Sequence, residues 1–522
     1  MTDALPRVRR PQLAWLALAV ATLGLHLLTN GRYGYFRDEL YFIACAKHMA
    51  WGFVDQPPLA PAAAWLSAPF AYALPALRLL PALAAAATVY VACLIAADLG
   101  GGRFAQLLAG LAAMLAPAYL LLGNALVTTS FEPLSWSLLA LTVLRAVNRR
   151  DPRWWIAAAV AFAFGFYGKY TIALFGLALA IGFAFTRERR ALGSWWFAAA
   201  LVLAGVLVLP NVAWQFREGL PMIDVLRNEF TGRNAFPPVL QLDFSNLARN
   251  AAAFVIEQAL YAGPIALPLW LLGLAGYLID PRLARARMLG IAYLVLVALA
   301  IVFKAKGYYI IGIYAVLFAA GAVVLERVWA SVAVGFSRPA TIVALVLFSL
   351  PLVPLAIPVL SVPHLIAYSA ALGMTGRNGS ARHLIQPFFA EEFGWDELAA
   401  RVAQVYRALP PAERKRAGIF ADTYGDAAAL DFFGPRYGLP PAISGQNAYY
   451  LWGPRDYDGS VLVAVGASQA NVLQAYFRNV RLVATYVHPY RWVMEGPDPI
   501  WICTGSRVPL RALWSKFKWF GA

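Results

Sequence analysis

Residues 81–97 read Pro-Ala-Leu-Ala-Ala-Ala-Ala-Thr-Val-Tyr-Val-Ala-Cys-Leu-Ile-Ala-Ala. The run carries no charge and lacks the period-two alternation of a barrel strand. In hydrocarbon each backbone amide must find its partner within the segment, so such a run is a helix. Comparable runs lie near 12–29, 104–122, 134–147, 154–167, 171–186, 195–213, 252–279, 288–303, 308–325 and 340–360. Several approach the ~20 apolar residues that cross a bilayer. Composition agrees: of 522 residues, 61% are hydrophobic and 13% charged. A soluble chain carries about 25% charge. The expected fold class is a polytopic α-helical membrane protein with about eleven transmembrane helices, the eleven runs given above.

The net charge is +16. Its arginines are scattered over many short loops, which argues against a nucleic-acid surface and for topogenic charge. Threaded from a cytoplasmic start, one set of loops holds Arg7, Arg9, Arg10, Arg103, Arg145, Arg149, Arg150, Arg153, Arg187, Arg189, Arg190, Arg282, Arg285, Arg287, Arg327 and Arg338. The positive-inside rule then puts the N-terminus in the cytoplasm. Asp38, Glu39, Asp55, Glu132, Lys169, Lys306 and the C-terminal region are expected on the outer side. The expected location is a cell membrane, crossed many times. The first run has no convincing cleavage site and reads as a retained helix. Cys45, Cys93 and Cys503 make no disulfide framework and no metal spacing.

Two domains are expected: a transmembrane domain over 1–360, with a first outer loop at 30–80, and a C-terminal extracytoplasmic α/β domain over 361–522. After about residue 361 charge returns, with Arg382, Glu391, Glu392, Asp396, Glu397 and Arg401. Strands are expected at Gly418–Ala421, Val461–Val465, Leu482–Val487 and Trp501–Cys503, with helices at Asp426–Phe433 and Gln469–Asn479.

Carboxylates are scarce, so their placement is informative. Asp38 and Glu39 open a helix that runs to Trp51. One reading is plain capping, worth about 0.5–2 kcal/mol. The other is a part-desolvated carboxylate suited to accept a proton from a hydroxyl. Trp51, Trp65 and Tyr72 place the segment at a membrane interface. Asp55-Gln56-Pro57-Pro58 is a polar turn stiffened by its prolines, either a helix stop or a carboxylate aimed at a metal or a sugar. Glu132, before Pro133, is the only charge of its outer loop and either caps a helix or joins the other acids. Such carboxylates would suit a divalent cation, the one candidate cofactor, with Asp55 and Glu132 as ligands.

Lys169 precedes Tyr170, and Lys304 and Lys306 precede Tyr308 and Tyr309. They read either as snorkelling lysines in an aromatic belt or as phosphate binders. Arg217, Arg227 and Arg233 of a long outer loop are further candidates. His26, His48, His364, His383 and His488 show no metal spacing, and His48 is the one placed near Asp38 in sequence.

The segment Tyr35-Phe36-Arg37-Asp38-Glu39-Leu40-Tyr41, continuing through Trp51-Gly52-Phe53-Val54-Asp55-Gln56-Pro57-Pro58-Leu59, resembles the first outer loop of bacterial family-39-type glycosyltransferases. These are relatives of protein O-mannosyltransferases and of the aminoarabinose transferase that modifies lipid A. Thr128–Leu134, Gly168-Lys169-Tyr170 and Lys306-Gly307-Tyr308-Tyr309 also resemble that family, so the likeness spans roughly 10–330. It implies a GT-C fold and sugar transfer from a polyprenyl-phosphate donor. Asp38 matches the family's catalytic aspartate, with Glu39 as its orienting neighbour. Asp55 falls where aminoarabinose transferases place a metal-binding acid before a lysine. Here Gln56 replaces that lysine, so donor phosphate binding passes to Lys169, Lys306, Arg37 and Tyr309. Gln56, Glu132, Tyr41 and His48 are expected to position the sugar or the loop. The implied partners are a lipid-linked sugar, a lipid, glycan or protein acceptor, and membrane lipids. The rival readings are a transporter or lipid flippase, and a non-catalytic scaffold. A transporter would place ionisable groups near the midplane and often shows internal repeats, neither of which is evident.

Overall fold

The computed structural model describes residues 13–149, 151–231, 247–332, 335–374, 385–466, 470–491 and 497–521. Arg7, Arg9, Arg10, Arg150, Arg233, Arg382, His383 and Gln469 lie outside the described residues.

The chain forms two compact units that do not follow chain order. One comprises Met1–Asn30, Arg78–Ala213 and Leu240–Val359; the other comprises Gly31–Leu77, Trp214–Val239 and Leu360–Ala522. The first loop therefore groups with the C-terminal region.

The first unit is helical, and a helix occupies each of the eleven apolar segments. Among the described residues, five helices are long and apolar enough to cross a membrane, or up to eight if each bent pair is one span. This makes a multi-pass membrane protein, with fewer clear crossings than eleven. In Trp195–Arg217 only 11% of the apolar window is buried, and in Ser337–Ala356 only 17%. Apolar surface left uncovered on that scale matches lipid rather than water.

Two segments expected as continuous spans are broken. Arg103–Leu115 and Pro117–Gly123 meet at 63°. Pro117 removes an amide donor and pushes Ala116 into extended backbone (φ −62°, ψ 121°). Arg249–Ala262 and Pro264–Ile279 meet at 100°, across Gly263 at φ +96° and Pro264. A positive φ suits glycine, and the proline then starts the next helix.

Small residues let helices approach. A Cβ on Gly273 would collide with the Leu317 carbonyl, and one on Gly321 with that of Leu269. Polar groups at helix ends are paired. Asp98 accepts from Arg145 Nε at 2.6 Å and Arg149 at 2.9 Å, and both guanidinium groups lie over Trp154. Asp280 accepts from Arg327 at 2.7 Å.

The second unit holds a five-stranded sheet. Its strands are β1 (Ala417–Ala421), β2 (Ala442–Ile443), β3 (Val461–Val465), β4 (Phe477–Tyr486) and β5 (Asp498–Ser506), in the order β2-β1-β3-β5-β4. The first three run parallel; β5 is antiparallel to β3 and β4 to β5. β1 and β3 are buried throughout, as apolar runs in a parallel sheet should be. Phe420, Ile443, Leu462, Phe477, Cys503 and Trp514 form the core. Two sequence expectations shift here. The helix expected over Gln469–Asn479 stops at Tyr476, because Phe477 already pairs with Ser506 in the sheet. The short strand β2 was not foreseen, since two residues carry no alternation. Cys45, Cys93 and Cys503 are buried and unbonded.

Candidate active site

In the second unit the first loop forms the helix Arg37–Ala46, which packs on the helix Tyr424–Phe433. Glu39 sets the start of the first helix. Its Oε2 accepts from the Phe36 backbone N–H at 2.9 Å, and the residue is fully buried. Glu39 is thus turned onto its own helix end, satisfying an amide that helix geometry leaves open.

Asp38 points differently. Its side chain is 27% exposed. The Tyr424 hydroxyl donates to Asp38 Oδ1 at 2.8 Å, and Arg37 Nε stands 3.4 Å from the same oxygen. No hydrogen bond or ion pair from the described residues reaches Oδ2. Arg37 is shared: its Nε is 3.5 Å from Glu391, and its guanidinium lies 5.3 Å from the Tyr424 ring centre. Within this unit Arg37 serves carboxylates.

Asp55 is half-buried beside this group. The Tyr41 hydroxyl donates to its Oδ1 at 3.0 Å and Asn447 Nδ2 to its Oδ2 at 3.2 Å. Tyr41 in turn accepts from the Ala448 backbone N–H at 3.1 Å. Burial pushes the Asp55 carboxyl up to about 7, against the lowering effect of the Tyr41 hydrogen bond; the Asp38 charge adds to the rise and Arg37 opposes it. Burial first, then the Asp55 charge, holds the Tyr41 phenol well above its usual range. Gln56 is buried, with its side-chain amide 4.0 Å from Cys45 Sγ and its backbone carbonyl accepting from Phe53 N–H at 3.0 Å, so it fixes the loop.

His48 is not brought to Asp38. It lies beyond the far end of the Arg37–Ala46 helix and stacks on Trp452 at 4.2 Å. Ten residues at about 1.5 Å each carry it ~15 Å along the axis.

A second charged cluster belongs to the first unit. Glu132 is 2% exposed; Thr171 donates to its Oε1, and Lys169 Nζ stands 4.0 Å from its Oε2. The same ammonium lies 4.7 Å from the Tyr308 ring centre and 4.6 Å from that of Tyr309. Lys306 is exposed at the start of the Gly307–Ile313 turn. Arg217 and Arg227 instead lie in the second unit, each within 4 Å of an acid, Glu218 and Asp224.

Asp55 and Glu132, the expected metal pair, each have protein partners. Both Asp55 oxygens already accept protein hydrogen bonds, and Glu132 faces an ammonium. Among the described residues, no group of three His, Cys, Asp or Glu is set to hold a metal ion.

Tyr424, Asn447 and Glu391 were missed in the sequence. For Tyr424 a signal existed, since it follows the end of β1, a strand the sequence shows; Asn447 follows β2, which the sequence does not show. Loops at the carboxyl ends of parallel strands are where such sheets carry sites.

Two crystal structures have this architecture. ArnT from Cupriavidus metallidurans in the apo state gives a TM-score of 0.55 at 16% identity, covering 94% of this chain and 97% of that one. The same protein bound to undecaprenyl phosphate gives 0.54 at 17% identity with the same coverage. The chain has a GT-C fold. Residues 55–214 match the family described as dolichyl-phosphate-mannose-protein mannosyltransferase. No curated protein matches the sequence.

Proposed function

We propose that this protein is a membrane glycosyltransferase. It moves a sugar from a polyprenyl-phosphate donor to a hydroxyl of an envelope glycolipid, glycan or protein at the outer face of the membrane. The carrying observation is the state of Asp38, with one oxygen anchored by Tyr424 and Arg37 and the other left to a substrate. Support comes from the GT-C fold, from its likeness to an ArnT structure that holds undecaprenyl phosphate, and from the mannosyltransferase match over 55–214.

In this reading the acceptor hydroxyl donates to Asp38 Oδ2 and loses its proton there as its oxygen attacks the anomeric carbon. The new carbon–oxygen bond forms on the face opposite the phosphate. The bond to the phosphate oxygen breaks, its electron pair leaves with the lipid phosphate, and the anomeric centre inverts. Lys169, seated between Glu132 and the Tyr308 and Tyr309 rings, is the leading partner for that phosphate, with Lys306, two residues before Tyr308, as the second candidate. Glu39 acts by fixing the helix that carries Asp38. The catalytic part is assigned to 1–360 and the extracytoplasmic part to 361–522, with the N-terminus in the cytoplasm.

The test uses purified protein in liposomes with polyprenyl-phosphate-linked sugars extracted from host membranes and an envelope acceptor fraction. The expected result is release of free polyprenyl phosphate together with acceptor glycosylation. Counterflow of labelled donor without release would overturn the proposal in favour of a flippase.

A further inference from the structure

A carboxylate in the first turn of a helix, 27% exposed, has several rotamers open to it. A base for glycosyl transfer must instead hold one oxygen on the acceptor hydroxyl, within hydrogen-bond reach. Something must choose the rotamer of Asp38. An ionised carboxylate has no proton to give, so in the 2.8 Å contact the Tyr424 hydroxyl is the donor and Asp38 Oδ1 the acceptor.

Tyr424 is itself held from several sides. It opens the Tyr424–Phe433 helix directly after β1, where Thr423 caps the helix by accepting from the Asp426 N–H at 3.1 Å. Its own backbone N–H donates to Gln446 Oε1 at 2.7 Å. Its ring lies 4.6 Å from that of Tyr41 and is capped by the Arg37 guanidinium. The residue is 5% exposed. A phenol fixed this firmly makes a rigid anchor, whereas a solvated one would follow the carboxylate.

We propose that Tyr424 is the positioning residue of the transferase: its hydroxyl pins Asp38 Oδ1 so that Oδ2 is presented to the acceptor. Arg37 Nε, on the same oxygen, reinforces the choice. The C-terminal region thereby takes part in the reaction through a residue that touches no substrate. This assignment rests on the proposed role of Asp38.

Tyr424→Phe deletes the hydroxyl and keeps the ring. The full-length protein in liposomes is assayed with the host polyprenyl-phosphate-sugar extract, alongside Asp38→Asn. Loss of a hydrogen bond to a charged group corresponds to about tenfold in rate. Tyr424→Phe should lower kcat about tenfold, with donor KM within about twofold and melting temperature unchanged. Wild-type kcat in Tyr424→Phe beside an inactive Asp38→Asn overturns the Tyr424 assignment alone. Turnover in Asp38→Asn overturns the reading beneath it. Should Tyr424→Phe lose its fold, 3-fluorotyrosine at position 424 keeps the ring and hydroxyl while making a more acidic donor. An altered kcat at unchanged melting temperature then supports the assignment, and wild-type kcat overturns it.

Discussion

Lys169 Nζ stands 4.0 Å from Oε2 of Glu132, a carboxylate that is 2% exposed. Removing the ammonium leaves a buried charge without its counterion, which costs more than the pair contributes. Lys169→Met should lower stability by about 1–3 kcal/mol. Adding Glu132→Gln should recover most of that loss, because the charge itself is gone. Thermal unfolding in detergent measures both. Losses that simply add would show that the two side chains do not interact.

Asp55 gives a pH dependence with a definite sign. Its carboxyl is pushed up from 3.8 to about 7, so the folded protein holds a proton that the unfolded chain has released. Stability is therefore highest below about pH 4 as far as this group is concerned, and falls as pH rises toward 7. Asp55 is only half-buried, which limits the effect to about 1–3 kcal/mol. Asp55→Asn cannot ionise and should flatten the slope of melting temperature between pH 5 and 8. An unchanged slope would assign the effect elsewhere.

Gly425 makes room for Arg37. A Cβ there would stand 2.7 Å from Arg37 Cγ and 2.9 Å from its Cδ. Gly425→Ala should displace the guanidinium from Asp38 and Glu391, with an overpacking cost of about 1–3 kcal/mol. Shortening Arg37 relieves the clash, so Gly425→Ala with Arg37→Ala should be more stable than the sum of the single losses. Strict additivity in melting temperature would contradict the contact.

The helical unit was legible because apolar runs such as 81–97 admit one solution in hydrocarbon. Its breaks were less so. Pro117 and Gly263-Pro264 sit inside runs that are apolar on both sides of the break, and hydropathy does not register a bend. Asp38 and Asp55 stood out because acids are rare in this chain. Their partners did not. Tyr424 lies 386 residues from Asp38 and Asn447 lies 392 from Asp55, and a single sequence gives no cue to such contacts. Glu39 illustrates a different limit. Adjacent acids look alike in sequence, but the helix turns one onto its own N-terminus and the other outward.

The most direct measurement compares wild-type protein with Asp38→Asn in liposomes, following polyprenyl phosphate released per enzyme per minute. Asparagine keeps the shape and can still accept from Tyr424 through its carbonyl, but it cannot take up a proton. The expected result is loss of release at least a hundredfold, in keeping with the ~10²–10⁴ contribution of a general base, with melting temperature nearly unchanged. Release at the wild-type rate from Asp38→Asn would contradict the central claim.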